Sequence, residues 1–340
     1  MEVAPGIFQL KTVIPNNPLG YVLPYLITGT NGHTIVDTGW NCDEAFDDLK
    51  KGLRDLHVNF LDIKTIVLTH LHPDHFGLAN RIKERSGAEV VLHEKEASQI
   101  GTRFDQGRDK MWFGISDWLK ANGVSDAELT QMEVFAKRHY GTMTFPPKPD
   151  RTARTGEMLH LGDRYFEVVW TPGHTPGHLC LYQADEKILL TGDTILPTIS
   201  PNISLHPHTP GNPLGEFIQS LHKLAQLPAD LVLPAHERII ENLSERAREL
   251  IEHHEERLGE MLAVIEDGEP TPYQVASQVK WNVGSWEKMN VWLRRYALSE
   301  TLAHLEYARL DGRIVRRIDD GIVRFALAGT PSVVTTPIAH

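Results

Sequence analysis

Cysteine is nearly absent: only Cys42 and Cys180 occur in 340 residues, far apart and in no CxxC pair. That excludes a disulfide framework and offers no thiolate metal site. No uninterrupted apolar run approaches the roughly 18 residues of a membrane-spanning helix. Long runs of Lys or Arg are missing as well, and the formal charge is −11, which argues against a chain built mainly to hold phosphates. The opening "MEVAPGIFQL" has no basic n-region and no apolar h-region, so no signal peptide is expected. With 41% hydrophobic and 23% charged residues, the composition is that of an ordinary soluble globular protein. A cytoplasmic location, with no membrane partner, is the expectation. The length suits one large domain plus a small one.

Histidine, in contrast, is abundant, with 18 in the chain. "LTHLHPDHFG" (68–77) crowds His70, His72, Asp74 and His75 into six consecutive positions. Such crowding marks a metal site only if the rest of the chain supplies further donors.

Short strands separated by turns fill residues 7–38: "IFQLKTVI", "YVLPYLITG" and "HTIVDTG". A helix over roughly 43–56 places Phe46, Leu49, Leu53 and Leu56 on one face. The apolar "TIVLTH" reads as a buried strand that runs into the histidine cluster. A helix (about 75–86), the strand "EVVLH" and a helical insert (about 94–140) follow, the last with a capping box at Ser125 and Glu128. Residues 157–192 return to strands, "YFEVVW", "HLCLYQ" and "KILLTG". A Pro-rich loop (195–213), a helix (about 213–226) and the strand "DLVLPAH" close this half. Two rounds of strands alternating with helices predict a layered α/β architecture. Beyond residue 240 come helices over about 240–266, 272–281 and 291–311. Asp319-Asp320-Gly321 then marks a hairpin turn between two short strands. Helices followed by such a wing outline a winged-helix module. The expected division is a catalytic domain over 1–240, a winged-helix-like domain over 241–330 and a tail over 331–340.

Three more donors stand at strand ends. His174 follows a strand in "VVWTPGHTPGH", Asp193 follows one in "ILLTGDT", and His236 follows one in "DLVLPAHE". Strand ends on one sheet edge converge, so donors remote in sequence can meet. Imidazole suits Zn²⁺ and Fe²⁺ alike, and a carboxylate can bridge two ions. Two divalent ions against two aspartates leave a net cationic centre able to hold a hydroxide at neutral pH.

These residues resemble those of the metallo-β-lactamase-fold hydrolases, whose pattern is HxHxDH, a lone His, an Asp and a last His. All seven positions are filled. The resemblance spans about residues 5–240 and implies an αββα sandwich, two mixed sheets flanked by helices. It further implies two divalent ions, zinc first with iron or manganese as alternatives. His70, His72 and His174 would hold one ion, Asp74, His75 and His236 the other, and Asp193 would bridge them. Asp74 would double as the catalytic proton shuttle. Asp37 in "IVDTG" is read as steadying the ligand loop through a hydrogen bond. His178 is read as support for the site, and His253 and His254, mid-helix, as structural.

Departures from subfamily patterns narrow the substrate. Lactamases sharing HxHxDH lack the bridging aspartate, which weighs against antibiotic hydrolysis. Lactonases of this fold carry a Tyr after that aspartate, yet no Tyr occurs between Tyr182 and Tyr273. Hydroxyacylglutathione hydrolases share all seven ligands, and the site is hydroxyacylglutathione-hydrolase-like, without an evident counterpart of their glutathione-binding region. Persulfide dioxygenases use one iron, against which the full second set of ligands argues. Met111, Trp112, Phe113 and Trp118 either wall an apolar acyl-binding pocket or serve as core or dimer contacts. Asn202, His206 and His208, in the loop after Asp193, are candidates to line that pocket or lie on the surface. The expectation is a hydrolase of thioesters, esters or lactones, acting on a small-molecule substrate with a hydrophobic acyl group. The alternative is a phosphodiesterase or endoribonuclease whose C-terminal domain grips nucleic acid. Residues 291–326 hold seven Arg against five acids, and 241–290 hold eleven acids against five Lys or Arg. This net acidity makes nucleic acid an unexpected partner. The C-terminal region is therefore read as packing or dimerisation, the latter giving a homodimer.

Overall fold

In the computed structural model the described residues are 1–103, 108–140, 144–207 and 211–329; the side chains of 102, 103, 108–114 and 138–140 lie outside that description. The chain opens with β1 (Glu2–Ala4), β2 (Ile7–Gln9), β3 (Thr12–Val13), β4 (Tyr21–Val22), β5 (Tyr25–Ile27) and β6 (His33–Val36). Then come α1 (Asp43–Asp55), β7 (Ile63–Val67), α2 (Pro73–Phe76), α3 (Ala79–Ser86) and β8 (Glu89–His93). The insert comprises α4 (Glu94–Ala97), α5 (Gln99–Arg103), α6 (Arg108–Ala121) and α7 (Asp126–Tyr140). The second half runs β9 (Arg151–Ala153), β10 (Met158–Leu161), β11 (Arg164–Trp170), β12 (Leu179–Gln183), β13 (Ile188–Gly192), α8 (Pro213–Leu224) and β14 (Leu231–Pro234). It ends with α9 (Leu243–Glu266), α10 (Pro272–Gln278), α11 (Val291–Leu310), β15 (Ile314–Asp319) and β16 (Ile322–Leu327).

Alternation along the strands explains the layering. In β8, Val90 and Leu92 face one way, into a core with Phe46, Leu49 and Leu53 of α1 and Ile82 of α3. Val91 faces the other way and meets Leu159, Phe166, Leu181 and Leu190 of the second sheet. A strand buried on both faces must be apolar at every position, which is why "IVL" and "VVL" read as unbroken runs. The sheets have orders β1-β2-β5-β6-β7-β8-β9 and β10-β11-β12-β13-β14. On the outer face of the second sheet, Val169, Cys180, Leu189 and Val232 pack under Leu214, Phe217 and Leu221 of α8 and Leu243, Ala247 and Leu250 of α9. The result is the expected αββα sandwich. Each fully buried Leu, Ile or Phe contributes about 1.5–3 kcal/mol of apolar burial.

Some elements depart from the sequence reading for identifiable reasons. The helix expected over 75–86 is broken, because Leu78 N–H donates to Gly39 O instead of continuing the helical ladder. Gly77 permits that approach: a Cβ there would lie 2.4 Å from Pro73 O and 2.6 Å from Gly39 O. "YVLPYLITG" divides into β4 and β5 at Pro24, with Leu23 N–H crossing to Ala235 O.

The expected C-terminal helices and hairpin are present. Leu258 and Met261 of α9, Val275 of α10, Leu305 of α11, and Ile314 and Phe325 of the hairpin share one core. The insert packs against the same unit. Ile115, Leu119 and Met132 bury with Tyr273, Leu298 and Leu302, and Trp118 packs partly buried on that cluster. Trp118 therefore takes part in a core contact, one of the two roles open to it from the sequence. Trp112 and Phe113 lie on α6, and their side chains fall outside the described residues. Among the described residues no helix is long and apolar enough to cross a membrane.

Candidate metal centre

β11, β13 and β14 run in one direction, because β12 is antiparallel to both β11 and β13 while β14 is parallel to β13. Their C-terminal ends therefore carry His174, Asp193 and His236 to one edge. On the facing sheet β7 ends at Val67 and delivers His70 and His72. Pro73 sits at the first position of α2, where its fixed φ starts the helix at no cost in hydrogen bonds. This puts Asp74 and His75 in the first turn, with the N–H groups of His75 and Phe76 donating to His72 O.

All seven motif residues converge. Donor atoms of His70, His72, His174 and Asp193 lie within 4.8 Å of one another, as do those of Asp74, His75 and His236. The Asp193 carboxylate touches both groups, at 3.4 Å from His75 Nε2, 3.4 Å from His236 Nε2 and 3.6 Å from His174 Nε2. Asp74 Oδ2 stands 3.6 Å from His236 Nε2 and 3.8 Å from His75 Nε2.

The tautomers of four histidines follow from their partners. His75 Nδ1 donates to Asp37 Oδ2 at 2.8 Å, His174 Nδ1 to Asn202 O at 2.9 Å, and His236 Nδ1 to Tyr21 O at 2.9 Å. Carboxylates and carbonyls only accept, so each Nδ1 carries a hydrogen, and in the neutral imidazole that binds a metal each Nε2 presents its lone pair. The Thr69 hydroxyl donates to Asp37, so His70 Nδ1 donates to Thr69 Oγ1 at 3.0 Å and its Nε2 also faces inward. His72 presents Nδ1, 2.9 Å from both His70 Nε2 and His174 Nε2.

The supporting frame is equally specific. Asp37, in the left-handed region at φ 58°, accepts from Thr69 N at 2.9 Å as well as from His75. His178 accepts from Asp193 N at 3.0 Å through Nε2 and donates through Nδ1 toward Thr171 and Thr194. It thus fixes the backbone of the central aspartate, in agreement with the supporting role expected for it. Buried Glu96, missed in the sequence, accepts from Leu71 N (2.8 Å), Thr175 Oγ1 (2.9 Å) and Gly177 N (2.8 Å). One carboxylate therefore pins the loops of His70 and His174 together. The signal for it was present: Glu96 follows β8, the neighbour of β7, so the strand-end rule reaches it.

Burial favours the neutral imidazole of His75, but Asp193, Asp37 and Asp74 outweigh it and lift the group well above the ordinary histidine range. Burial would push the Asp193 carboxyl up, yet His75 and His236 hold it well below the usual carboxylate range. Burial, reinforced by His174, keeps His178 well below its ordinary value, consistent with a neutral acceptor. An excess of negative charge around His75 favours a cation at its Nε2.

The donor set fits divalent metal ions. His75 Nε2, His236 Nε2 and Asp193 Oδ1 are buried without a hydrogen-bond partner, an arrangement that costs about 1–3 kcal/mol per neutral group and more for a charged one. A cation bound by imidazole and carboxylate would satisfy all three. Asn202 sits beside this centre with its carbonyl on His174, while its side chain donates to Glu300 Oε2 at 2.7 Å and accepts from Ser204. His208 lies outside the described residues.

The comparisons agree with this architecture. The sequence model of the Metallo-beta-lactamase superfamily matches residues 17–236. The probable metallo-hydrolase YqjP of Bacillus subtilis strain 168 is 26% identical over 323 residues, which are 90% of this chain and 93% of that protein. The crystal structure of a metallo-beta-lactamase family protein from Thermus thermophilus superposes with a TM-score of 0.81 at 33% identity. It covers 96% of this chain and 100% of that one. The acyl-coenzyme A thioesterase MBLAC2 of Gallus gallus is 28% identical over 176 residues, 50% of this chain and 55% of that protein. With a seven-donor centre at the strand ends of an αββα sandwich and a family match across it, the chain belongs to the metallo-beta-lactamase superfamily of metallo-hydrolases.

Proposed function

We propose that the protein is a dinuclear hydrolase of thioesters, esters or lactones that carry a hydrophobic acyl group. The observation that carries this reading is the Asp193 carboxylate standing between two histidine sets whose buried Nε2 atoms converge on it. His70, His72 and His174 would hold one divalent ion and Asp74, His75 and His236 the other, with Asp193 shared and zinc the first candidate. Such a pair supplies Lewis acidity toward a carbonyl oxygen and lowers the pKa of water toward about 7. The other tasks fall to the chain. Asp74 is the most exposed of the three aspartates around the centre, with 15% of its side chain accessible. In this reading it accepts the proton of the attacking water and delivers it to the leaving thiolate or alkoxide. Asp37, Glu96 and His178 hold the donors in register, so little reorganisation is needed during reaction.

The choice of an acyl substrate over nucleic acid draws on the likeness to the chicken acyl-coenzyme A thioesterase and on the net acidity of residues 241–326. The assay is a panel of acyl-CoA, acyl-glutathione and lactone substrates on zinc-replete protein, with Asp74→Ala as control. Acyl turnover that falls at least 100-fold in the variant, on the order expected for loss of a general acid–base, supports the proposal. Turnover of a phosphodiester or short RNA, with no acyl substrate hydrolysed, would replace it by the nuclease reading.

A further inference from the structure

The loop 198–205 is stitched to the C-terminal helices at three points. The Ser200 hydroxyl contacts His254 Nε2 on α9 at 2.9 Å, Asn202 Nδ2 donates to Glu300 Oε2 on α11 at 2.7 Å, and Leu205 N donates to Ser299 O at 3.0 Å. A second set of bonds fixes the helices behind them. His304 Nδ1 donates to Glu300 O at 2.8 Å, so its Nε2 accepts from His254 Nδ1 at 3.1 Å. His254 Nε2 is then the acceptor, and Ser200 donates. Polarity along this chain is determined end to end by the single carbonyl of Glu300.

Glu300 is the node of the arrangement. It sits on a helix where Ala297, Leu298, Ser299, Thr301, Leu302, Ala303 and His304 are all buried, and the buried Arg257 of α9 acts on it electrostatically. The carboxyl group is buried there, and its side-chain hydrogen-bond partner is Asn202. The backbone of the same Asn202 holds His174. Two hydrogen bonds therefore separate α11 from the metal centre: Glu300 Oε2 to Asn202 Nδ2, then Asn202 O to His174 Nδ1.

We propose that Glu300 is a positioning residue for the metal centre, fixing Asn202 so that its carbonyl aims His174 Nε2 at the ion. The proposal rests on the reading of His174 as a ligand. It makes the C-terminal helical unit part of the metal site and not a separate attachment. Partners that orient ligating histidines typically contribute 10–100-fold to metal affinity. Glu300 acts one bond further out, so an effect at the lower end is expected.

The test is Zn²⁺ affinity, measured by competition with a chromophoric chelator, on folded full-length variants checked by circular dichroism. Glu300→Ala should weaken one of two zinc sites about tenfold. Asn202→Ala, which keeps the carbonyl but removes the amide, should do the same, and the double variant should be no worse than either single one. Glu300→Gln should restore most of the affinity, because its Oε1 accepts the same hydrogen bond. His174→Ala should lose one ion per chain. If His174→Ala loses an ion while Glu300→Ala binds zinc as wild type does, the positioning role is refuted and the metal site stands. If Glu300→Gln is as weak as Glu300→Ala, a hydrogen-bond role is refuted in favour of charge. If His174→Ala keeps both ions, the reading of the site fails and takes the proposal with it. Should Glu300→Ala not fold, Asn202→Ala against Glu300→Gln decides the matter.

Discussion

Asp37→Asn replaces one oxygen by NH₂ with almost no change in shape. Asp37 Oδ1 accepts from Thr69 N at 2.9 Å, which the asparagine carbonyl can still do. Its Oδ2 accepts from His75 Nδ1 at 2.8 Å, and there an amide NH₂ would face an N–H. The clash is relieved if His75 shifts its hydrogen from Nδ1 to Nε2. That shift places a hydrogen on the atom that points toward Asp193 at 3.4 Å, so metal binding must then displace it. A wrong-tautomer effect of this kind is known to disable catalytic histidines while leaving geometry intact. Loss of an orienting partner costs about 10–100-fold in metal affinity, or about 1.4–2.7 kcal/mol. The negative charge lost at a buried position, 2% exposed, adds in the same direction, so the upper half of that range is expected. Chelator competition with Zn²⁺ reads the affinity, and thermal unfolding of the metal-free protein controls for stability. Wild-type affinity in a folded Asp37→Asn protein would refute the argument that this carboxylate sets the tautomer of His75.

Glu96→Ala orphans the N–H groups of Leu71 and Gly177; at about 1–3 kcal/mol each, urea unfolding should show a loss of about 2–6 kcal/mol, and a loss below about 1 kcal/mol would contradict the pinning role. Gly177→Ala should be comparably damaging, because its Cβ would fall 2.0 Å from Glu96 N; an unchanged unfolding midpoint would show that the loops are not locked as described. Burial pushes His304 down to about 4 and holds His254 well below its ordinary value, so both stay neutral in the fold and take up protons on unfolding. The contribution of His304 is complete above pH 6.5 and is lost as pH falls from 6.5 toward 4, on the order of 3 kcal/mol, and that of His254 falls in the same direction. Glu300, pushed up to about 7 by burial, has the opposite slope, losing stability as pH rises from 4.5 toward 7. Denaturation at pH 7 and 4.5 should therefore show a smaller acid loss in His304→Gln than in wild type, and equal losses would refute the assignment.

The metal centre was legible because its chemistry demands particular residue types at strand ends. HxHxDH is contiguous, and His174, Asp193 and His236 each follow an apolar run that could be read as a strand. The bonds that aim these donors were harder to see, since Glu96 acts from β8 and Glu300 from α11, and each meets its partner only through tertiary structure. Asp37 was visible because "IVDTG" ends a strand beside the ligand loop. The insert left two roles open, since Trp118 looks the same in sequence whether it lines a pocket or packs on a core cluster, and the structure packs it, partly buried, on the cluster of Tyr273 and Leu302. The break at Gly77 was hidden for a related reason. Local periodicity favours one helix, and the competing acceptor, Gly39 O, lies far back in the chain.

The central claim is that seven residues form one two-ion centre. Anomalous diffraction from zinc-loaded crystals, collected across the zinc edge, tests it most directly. Two peaks are predicted, one bound by His70 Nε2, His72 Nδ1 and His174 Nε2 and the other by Asp74, His75 Nε2 and His236 Nε2, with the Asp193 carboxylate between them. No peak at these atoms, or a single peak at full zinc loading, would contradict the account.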